Sequence, residues 1–358
     1  MTPALRTAGF HHITMVSSSA PRTLAFYRGL LGIGLVKQTV NFDDPSSYHL
    51  YFGDATGAPG TILTFFEWGG QPQGSPGVGG VHHLALGVAT ADAQLKWKRR
   101  LTDAGVPVSG PYNRGWFRSI YFADPDGQIL EIATKGPGYA VDEPADALGQ
   151  REVMPPGAQI VGDRDENAIG LLTYGEPVPI ITADMALDGI HHISAITKDL
   201  VRLDEFYSAA LGLALVKKSF NQDNPSVKHW FWGSYDGQHV APHSALTFFG
   251  WPPRGHPTRP GVGQTHHIAF RAPTPGDQLA WRDHLASLGV DVSPVMDRTY
   301  FQSIYFRDPD GLLLEIATDG PGFASDEAPQ ALGRELRLPK WLEPEREQIA
   351  KGLVPLHA

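Results

Sequence analysis

The chain contains no cysteine, which excludes disulfides, thiolate metal sites and cysteine nucleophiles together. It also has no run approaching the roughly 18 apolar residues that a membrane helix needs. Its opening residues, MTPALRTAGF, form no apolar signal-peptide core. Basic runs are missing as well, and 29 Lys and Arg against 38 Asp and Glu leave a formal net charge of −9. A surface for nucleic acid or for an acidic membrane is therefore not expected. These absences lead to the expectation of a cytoplasmic protein whose partners are small molecules; a homo-oligomer is compatible with the same composition.

What is present is ordinary globular chain, written twice. With 358 residues, 42% hydrophobic and 19% charged, the length fits two domains or about four small modules. Residues 9–146 read GFHHIT, LAFYRGLLGIGLVKQTVNFDDP, YHLYFG, ILTFFEW, GGVHHLAL and FRSIYFADPDGQILEIATKGPGYAVDEP, and residues 189–328 repeat that order from GIHHIS to FQSIYFRDPDGLLLEIATDGPGFASDEA. Each half is itself a weaker pair, giving modules at 9–68, 79–138, 189–251 and 263–322. Apolar spacing at Leu24, Phe26, Leu30 and Leu31, and at Leu203, Phe206 and Leu211, predicts a helix after the first strand. Val, Ile, Tyr and Phe-rich runs predict strands, and Asp-Pro-Asp-Gly at 124–127 and 308–311 predicts hairpin turns. The reading is an α+β chain of four βαβββ modules. It divides into a first double-module half (1–146), a linker (147–188), a second half (189–328) and a polar C-terminal tail (329–358) expected as a short helix plus an extended segment.

Four His-His doublets open the modules, at His11-His12, His82-His83, His191-His192 and His266-His267. A glutamate follows the second and fourth at the same separation, Glu131 after His83 and Glu315 after His267. One histidine in a strand is ordinarily a packed or surface residue; four repeat-equivalent doublets, two with a matched glutamate, point to metal. Strand neighbours face opposite ways. The first histidine of each doublet shares its face with Ile13, Leu84, Ile193 or Ile268, and the second with the smaller Thr14, Ala85, Ser194 or Ala269. His12, His83, His192 and His267 are therefore expected in the cavity. Glu131 and Glu315 sit between apolar strand residues, where a carboxylate is costly unless paired or metal-bound. Two imidazoles and one carboxylate with open positions is the ligand set of non-haem Fe(II) oxygenases, and the same donors suit Mn(II).

These segments, with THHIAFRA, DRTYFQSIYFRDPDG and LLLEIATDGPGFASDE, resemble the vicinal oxygen chelate superfamily, which holds glyoxalase I and extradiol dioxygenases. The closer likeness is to ring-cleaving dioxygenases of the hydroquinone type, over nearly the whole chain. The resemblance implies modules paired into two half-open β-barrels, an Fe(II) held by His12, His267 and Glu315, and a substrate pair of a small aromatic diphenol and O2. It implies acid/base and substrate-orienting roles for Arg298 and Tyr305, with His11 and His266 beside the metal strands. One departure stands out. The partner set His83, His192 and Glu131 is also intact, and Arg114 and Tyr121 precede Glu131 as Arg298 and Tyr305 precede Glu315. The reading favours two metal sites, the alternative being one site and a preserved relic. Sequential module pairing, giving His12/His83/Glu131 and His192/His267/Glu315, stays open at this point and uses the same six ligands.

Further candidates follow from the repeat. His49 and His229 are equivalent and are candidates to support the ligands. Trp230, Trp232, Phe248 and Phe249 are candidates for a ring-binding wall, with core packing the competing role. A glyoxalase-like lyase or isomerase would carry a further carboxylate where this chain has Thr64 and Thr247, and threonine is a poor ligand. An antibiotic-modifying transferase shares the ligand set but is normally a shorter, dimerising chain. A non-catalytic protein that sequesters an aromatic or a metal is the reading from a different class.

Overall fold

The computed structural model describes residues 5–252 and 255–356; residues 1–4 of the first half and 357–358 of the tail lie outside the described residues. The first module runs β1 (Phe10–Ser17), α1 (Ala20–Leu24) continuing into a π-helical turn (Ala25–Leu30), β2 (Gly34–Val40), β3 (Tyr48–Gly53) and β4 (Ile62–Glu67). The second runs β5 (Gly80–Val88), α2 (Ala91–Asp103), β6 (Ser109–Asn113), β7 (Arg118–Ala123) and β8 (Ile129–Thr134). Between the halves come β9 (Glu152–Val153) and α3 (Glu166–Leu171). The third module comprises β10 (Ile190–Thr197), α4 (Leu200–Leu211), β11 (Ala214–Asn221), β12 (Asn224–Gly233) and β13 (Ala245–Gly250). The fourth comprises β14 (Thr265–Ala272), α5 (Pro275–Ser287), β15 (Met296–Asp297), β16 (Gln302–Arg307) and β17 (Leu313–Thr318), and α6 (Arg346–Gly352) follows. The α+β reading and the fourfold βαβββ order are both seen. No helix among the described residues is long and apolar enough to cross a membrane.

Local chemistry explains the elements. Thr90 caps α2 by accepting from Ala93 N, Asp199 caps α4 through Arg202 N, and Thr274 with Asp277 forms a capping box on α5. Each Asp-Pro-Asp-Gly turn ends in a glycine at positive φ, Gly127 at 87° and Gly311 at 93°, a region that side chains disfavour. The helices present Leu203, Tyr207 and Leu211, or Trp97 and Leu101, to the sheets. Leu30 and Phe206, expected on the buried face, are only half-buried. A buried glutamine ties helix to strands in the same way twice: Gln94 Nε2 donates to the carbonyls of Arg118 and Ile132, and Gln278 Nε2 to those of Gln302 and Ile316.

Compact units cut across the sequence halves. One unit joins modules one and four, from Phe10–Ser75 and from Arg259 onward; the other joins modules two and three, in Pro76–Asp124 and Ile129–Thr258. We call them the outer-module and inner-module units, for their place in the chain. In the outer-module unit the strand order is β15-β16-β17-β14-β1-β4-β3-β2. In the inner-module unit it is β6-β7-β8-β5-β10-β13-β12-β11-β9. The repeat boundaries at 146 and 189 are therefore not unit boundaries. The physical reason is strand pairing: β1 hydrogen-bonds antiparallel to β14, and β5 to β10, so each barrel closes across the boundary between the halves. This settles the pairing against the sequential alternative.

The segments read as linker and tail are part of these units. Glu152–Val153 pairs in parallel with Lys218–Ser219 on the edge of β11. Leu336 bridges Gln38 on β2, and Arg337 N donates to Gln38 O at 2.8 Å. The tail is not wholly polar, since Leu338, Leu342, Ile349 and Leu353 are buried.

Candidate metal centre

In the outer-module unit, β1, β14 and β17 lie side by side, with Ala269 in register with both His12 and Glu315. Nε2 of His267 stands 2.9 Å and Nε2 of His12 3.5 Å from Oε2 of Glu315, and the two nitrogens are 3.3 Å apart. In the inner-module unit, Nε2 of His83 and His192 stand 3.0 and 3.4 Å from Oε2 of Glu131. Each trio offers three ligand atoms within 4.8 Å of one another, all from buried residues. All six predicted ligands are thus brought together in two sets of three.

The doublets owe their geometry to β-bulges, and strict alternation does not hold there. Along β1 and β14 the pairing steps from Phe10↔Phe270 to His12↔Ala269, and from Thr14↔His267 to Met15↔Thr265. His11 and His266 are the extra residues. The same two steps, Ile190↔Leu86 to His192↔Ala85 and Ser194↔His83 to Ala195↔Val81, leave out His191 and His82. In every doublet the first ring then meets the second through Nδ1, at 2.9, 2.8, 2.8 and 2.7 Å. Such a contact at Nδ1 leaves Nε2 of the second ring for a metal. His266 and His82 also line the cavities, against the expectation that first histidines face away, whereas His11 does not line the cavity and packs on Phe301 at 5.0 Å between ring centroids. Burial, reinforced by the neighbouring ligand histidine, lowers the pKa of His11, His82, His191 and His266 to about 3. These rings are neutral.

The carboxylates give the test of fit. Both glutamates are fully buried. Burial disfavours their charge, yet the paired histidines more than offset it and hold Glu315 and Glu131 well below the usual carboxylate range. Ser303 Oγ donates to Glu315 Oε1. Oε2 of Glu315 and of Glu131 meets the imidazole nitrogens named above, whereas Oε1 of Glu131 has no hydrogen-bond partner among the described residues. Buried polar atoms left this way are rare and costly, and two imidazole nitrogens with a carboxylate oxygen are donors a divalent first-row cation takes. The residues fit such an ion.

Each trio opens on a cavity of about 400 Å³ in the inner-module unit and about 410 Å³ in the outer. Phe66, Trp68 and Phe301 wall the outer-module cavity, with Phe66 stacked on Trp68 at 4.7 Å. Of the four aromatics predicted as a wall, Phe249 lines the inner-module cavity; Trp230, Trp232 and Phe248 are buried in the core, Trp232 donating to Asp204. Arg298 Nε donates to Tyr305 OH at 3.2 Å, and Arg114 to Tyr121 OH at 3.1 Å, so both predicted arginine–tyrosine pairs form inside a cavity. Burial and the nearby glutamate push both tyrosine hydroxyls above their ordinary range, against the arginine's opposite pull.

Behind the ligands the threonines are engaged. Thr14 Oγ1 meets Thr64 Oγ1 at 2.8 Å and His267 Nε2 at 2.9 Å, and His49 Nε2 meets Thr64 at 3.0 Å. His229 meets Thr247 at 2.8 Å in the same way. Tyr51 OH extends the outer-module chain by a 3.0 Å contact to His49 Nδ1; its counterpart Phe231 ends the inner one. Ser303, Tyr51 and the walls Phe66, Trp68 and Phe301 escape the sequence reading. Ser303 had a signal, since it shares a strand face with Tyr305, which is in register with Glu315.

The profile of the Glyoxalase/Bleomycin resistance protein/Dioxygenase superfamily matches residues 9–132 and 189–316. The chain is 37% identical, over 98% of its length and 97% of the relative's, to "Putative ring-cleaving dioxygenase MhqO" of Bacillus subtilis. It is 28% identical, over 97% and 96%, to the chlorohydroquinone/hydroquinone 1,2-dioxygenase of Sphingobium indicum. The crystal structure of a "putative dioxygenase from Bacillus subtilis" superposes with a TM-score of 0.77 at 35% identity, covering 99% of both chains. Maize glyoxalase I superposes at 0.56 with 16% identity over 87% of this chain and 92% of that one, a likeness of fold.

Proposed function

Because the chain belongs to the glyoxalase/bleomycin resistance protein/dioxygenase superfamily, we propose that it is a ring-cleaving dioxygenase. Its substrate is a dihydroxylated aromatic of the hydroquinone type, and its metal, Fe(II), is held by His12, His267 and Glu315. The observation that carries this reading is a buried carboxylate oxygen that converges with two imidazole nitrogens at the floor of an aromatic-walled cavity. Fe(II) bound there supplies coordination positions at which a diphenol and O2 meet and exchange electrons.

The chain's own residues do the rest. Phe66, Trp68 and Phe301 take the flat faces of a ring and exclude water from it. Tyr305 keeps its proton and so serves as a donor to a substrate oxygen. Arg298, with Nε on Tyr305, Nη2 on Met296 Sδ at 3.8 Å and a 3.8 Å contact to the exposed Asp43, offers positive charge to the ring's other oxygen. His266 has Nδ1 engaged by His267, so a proton handled by this residue moves at Nε2. Its low pKa makes it a hydrogen-bond partner and a weak base. Thr64 occupies the place where a lyase of this fold class would need a carboxylate, and its hydroxyl is held by Thr14 and His49. That favours three ligands and an open site.

Protein loaded anaerobically with Fe(II) and then given O2 should consume it with hydroquinones or catechols, one O2 per ring opened. Full metal occupancy without O2 uptake on any diphenol would sink the proposal.

A further inference from the structure

We propose that the inner-module unit holds a second metal centre, in which His83, His192 and Glu131 bind a divalent first-row cation independently of the outer-module trio. This deepens the dioxygenase reading, resting on it for the cavity's use but not for the metal.

Four observations converge. The three donors are assembled, Nε2 of His83 and His192 at 3.0 and 3.4 Å from one oxygen of Glu131. They are less satisfied than in the first site: Glu131 Oε1 has no hydrogen-bond partner among the described residues, where Ser303 donates to Glu315 Oε1. A fully buried carboxylate left so is destabilising, and replacing it with an apolar side chain would ordinarily be neutral or favourable. A bound cation removes the penalty. The bulged doublets are also reproduced, His82 and His191 each meeting the ligand ring through Nδ1 at 2.8 Å. Finally, the cavity above is open, about 400 Å³, with Arg114, Tyr121 and His229 on its wall.

The two centres are not copies. Arg114 is clamped: Nη1 donates to Gln222 Oε1 at 2.8 Å, Nη2 to Tyr121 OH at 3.1 Å, and Asp223 stands 3.5 Å away. The segment between the halves reinforces this clamp, with Gln159 on Gln222 and Arg164 on Asp223 at 2.7 Å. Over the first site the C-terminal segment instead sets Trp341 against Phe42, the counterpart of Gln222, at 5.6 Å. The second cavity thus has a polar, rigid rim where the first has an apolar one.

The test is a metal count on the full chain, loaded anaerobically with Fe(II) or with Co(II) as a spectroscopic probe and freed of excess ion. The wild type should carry about two ions, the His83→Ala/Glu131→Gln and His267→Ala/Glu315→Gln variants about one each. Co(II) visible bands should show a low-coordinate nitrogen–oxygen site in both variants. A wild-type count of one or none overturns the proposal, and needs no variant to fold. So does a second ion that survives His83→Ala/Glu131→Gln. Two ions without O2 uptake would instead remove the dioxygenase reading and leave the second centre standing.

Discussion

At the scale of single residues the site is a matter of which protons stay. Burial pulls the pKa of His267 down, the paired histidines hold Glu315 ionised, and the two cavity tyrosines keep their hydrogens. In the proposed reaction Tyr305 and Arg298 are the groups whose removal would touch the chemistry without touching a candidate ligand. Tyr305→Phe should keep the outer-module metal and lower kcat by about 10²-fold or more, the ordinary worth of one positioned acid. Metal analysis beside single-turnover kinetics checks this; unchanged kcat would leave Tyr305 as wall alone. Other residues of the site are silent in sequence. Tyr51 looks like any strand residue, and its contact to His49, two residues away on the same strand, becomes part of the site only through Thr64 on the neighbouring strand.

At the scale of elements, two features place the site: bulges that bring both rings of each doublet to one place, and buried lysines that lock the strand edges. Lys37 in β2 and Lys217 in β11 are fully buried. Lys37 Nζ meets Asp326 at 2.6 Å, Glu327 and the Phe323 carbonyl; Lys217 meets Asp142 and Glu143. The loop after each glutamate-bearing strand is thereby pinned to the far edge of its own sheet. Breaking such a pair strands a buried charge, so Lys37→Met should cost about 3–5 kcal/mol of unfolding free energy. Lys340→Met, on the exposed surface, should stay within about 0.5 kcal/mol. Urea unfolding measures both, and equal midpoints would show the clamp to be inert. The spacing of these lysines and acids is visible in the repeat, but nothing local says they meet.

Across the whole molecule, the buried imidazoles make stability depend on pH in a definite direction. His11, His82, His191 and His266 have folded pKa values of about 3, against 6.5 for the free side chain. Between those values the unfolded chain binds more protons than the folded one, so stability rises with pH through that window. Glu131 and Glu315, held low in the fold, add the same sign near their unfolded values. Stability should therefore be full above about pH 6.5 and fall on acidification. Metal-free protein titrated by circular dichroism should lose its fold steeply within that interval. A transition starting only below pH 3 would contradict the burial of these rings.

Sequence by itself determined the module, its fourfold repetition and the six candidate ligands, because strand period, turn chemistry and repeat spacing are all local or self-comparing signals; Arg298 and Tyr305 came from the family resemblance, and the repeat carried them to Arg114 and Tyr121. Tertiary structure alone decided that module one closes with module four and two with three. Pairing between β1 and β14 depends on edges meeting across the chain, which no local pattern encodes. It also decided the role of the first histidines. Alternation alone would turn them away, but one extra residue in each strand of the two ladders puts them at Nδ1 of their neighbours. The cavity walls were decided the same way, since an aromatic in a strand fills core or faces a ligand according to what packs opposite. Trp232 and Phe66 sit in equally aromatic stretches, and only the fold sends one to the core and the other to the ring pocket.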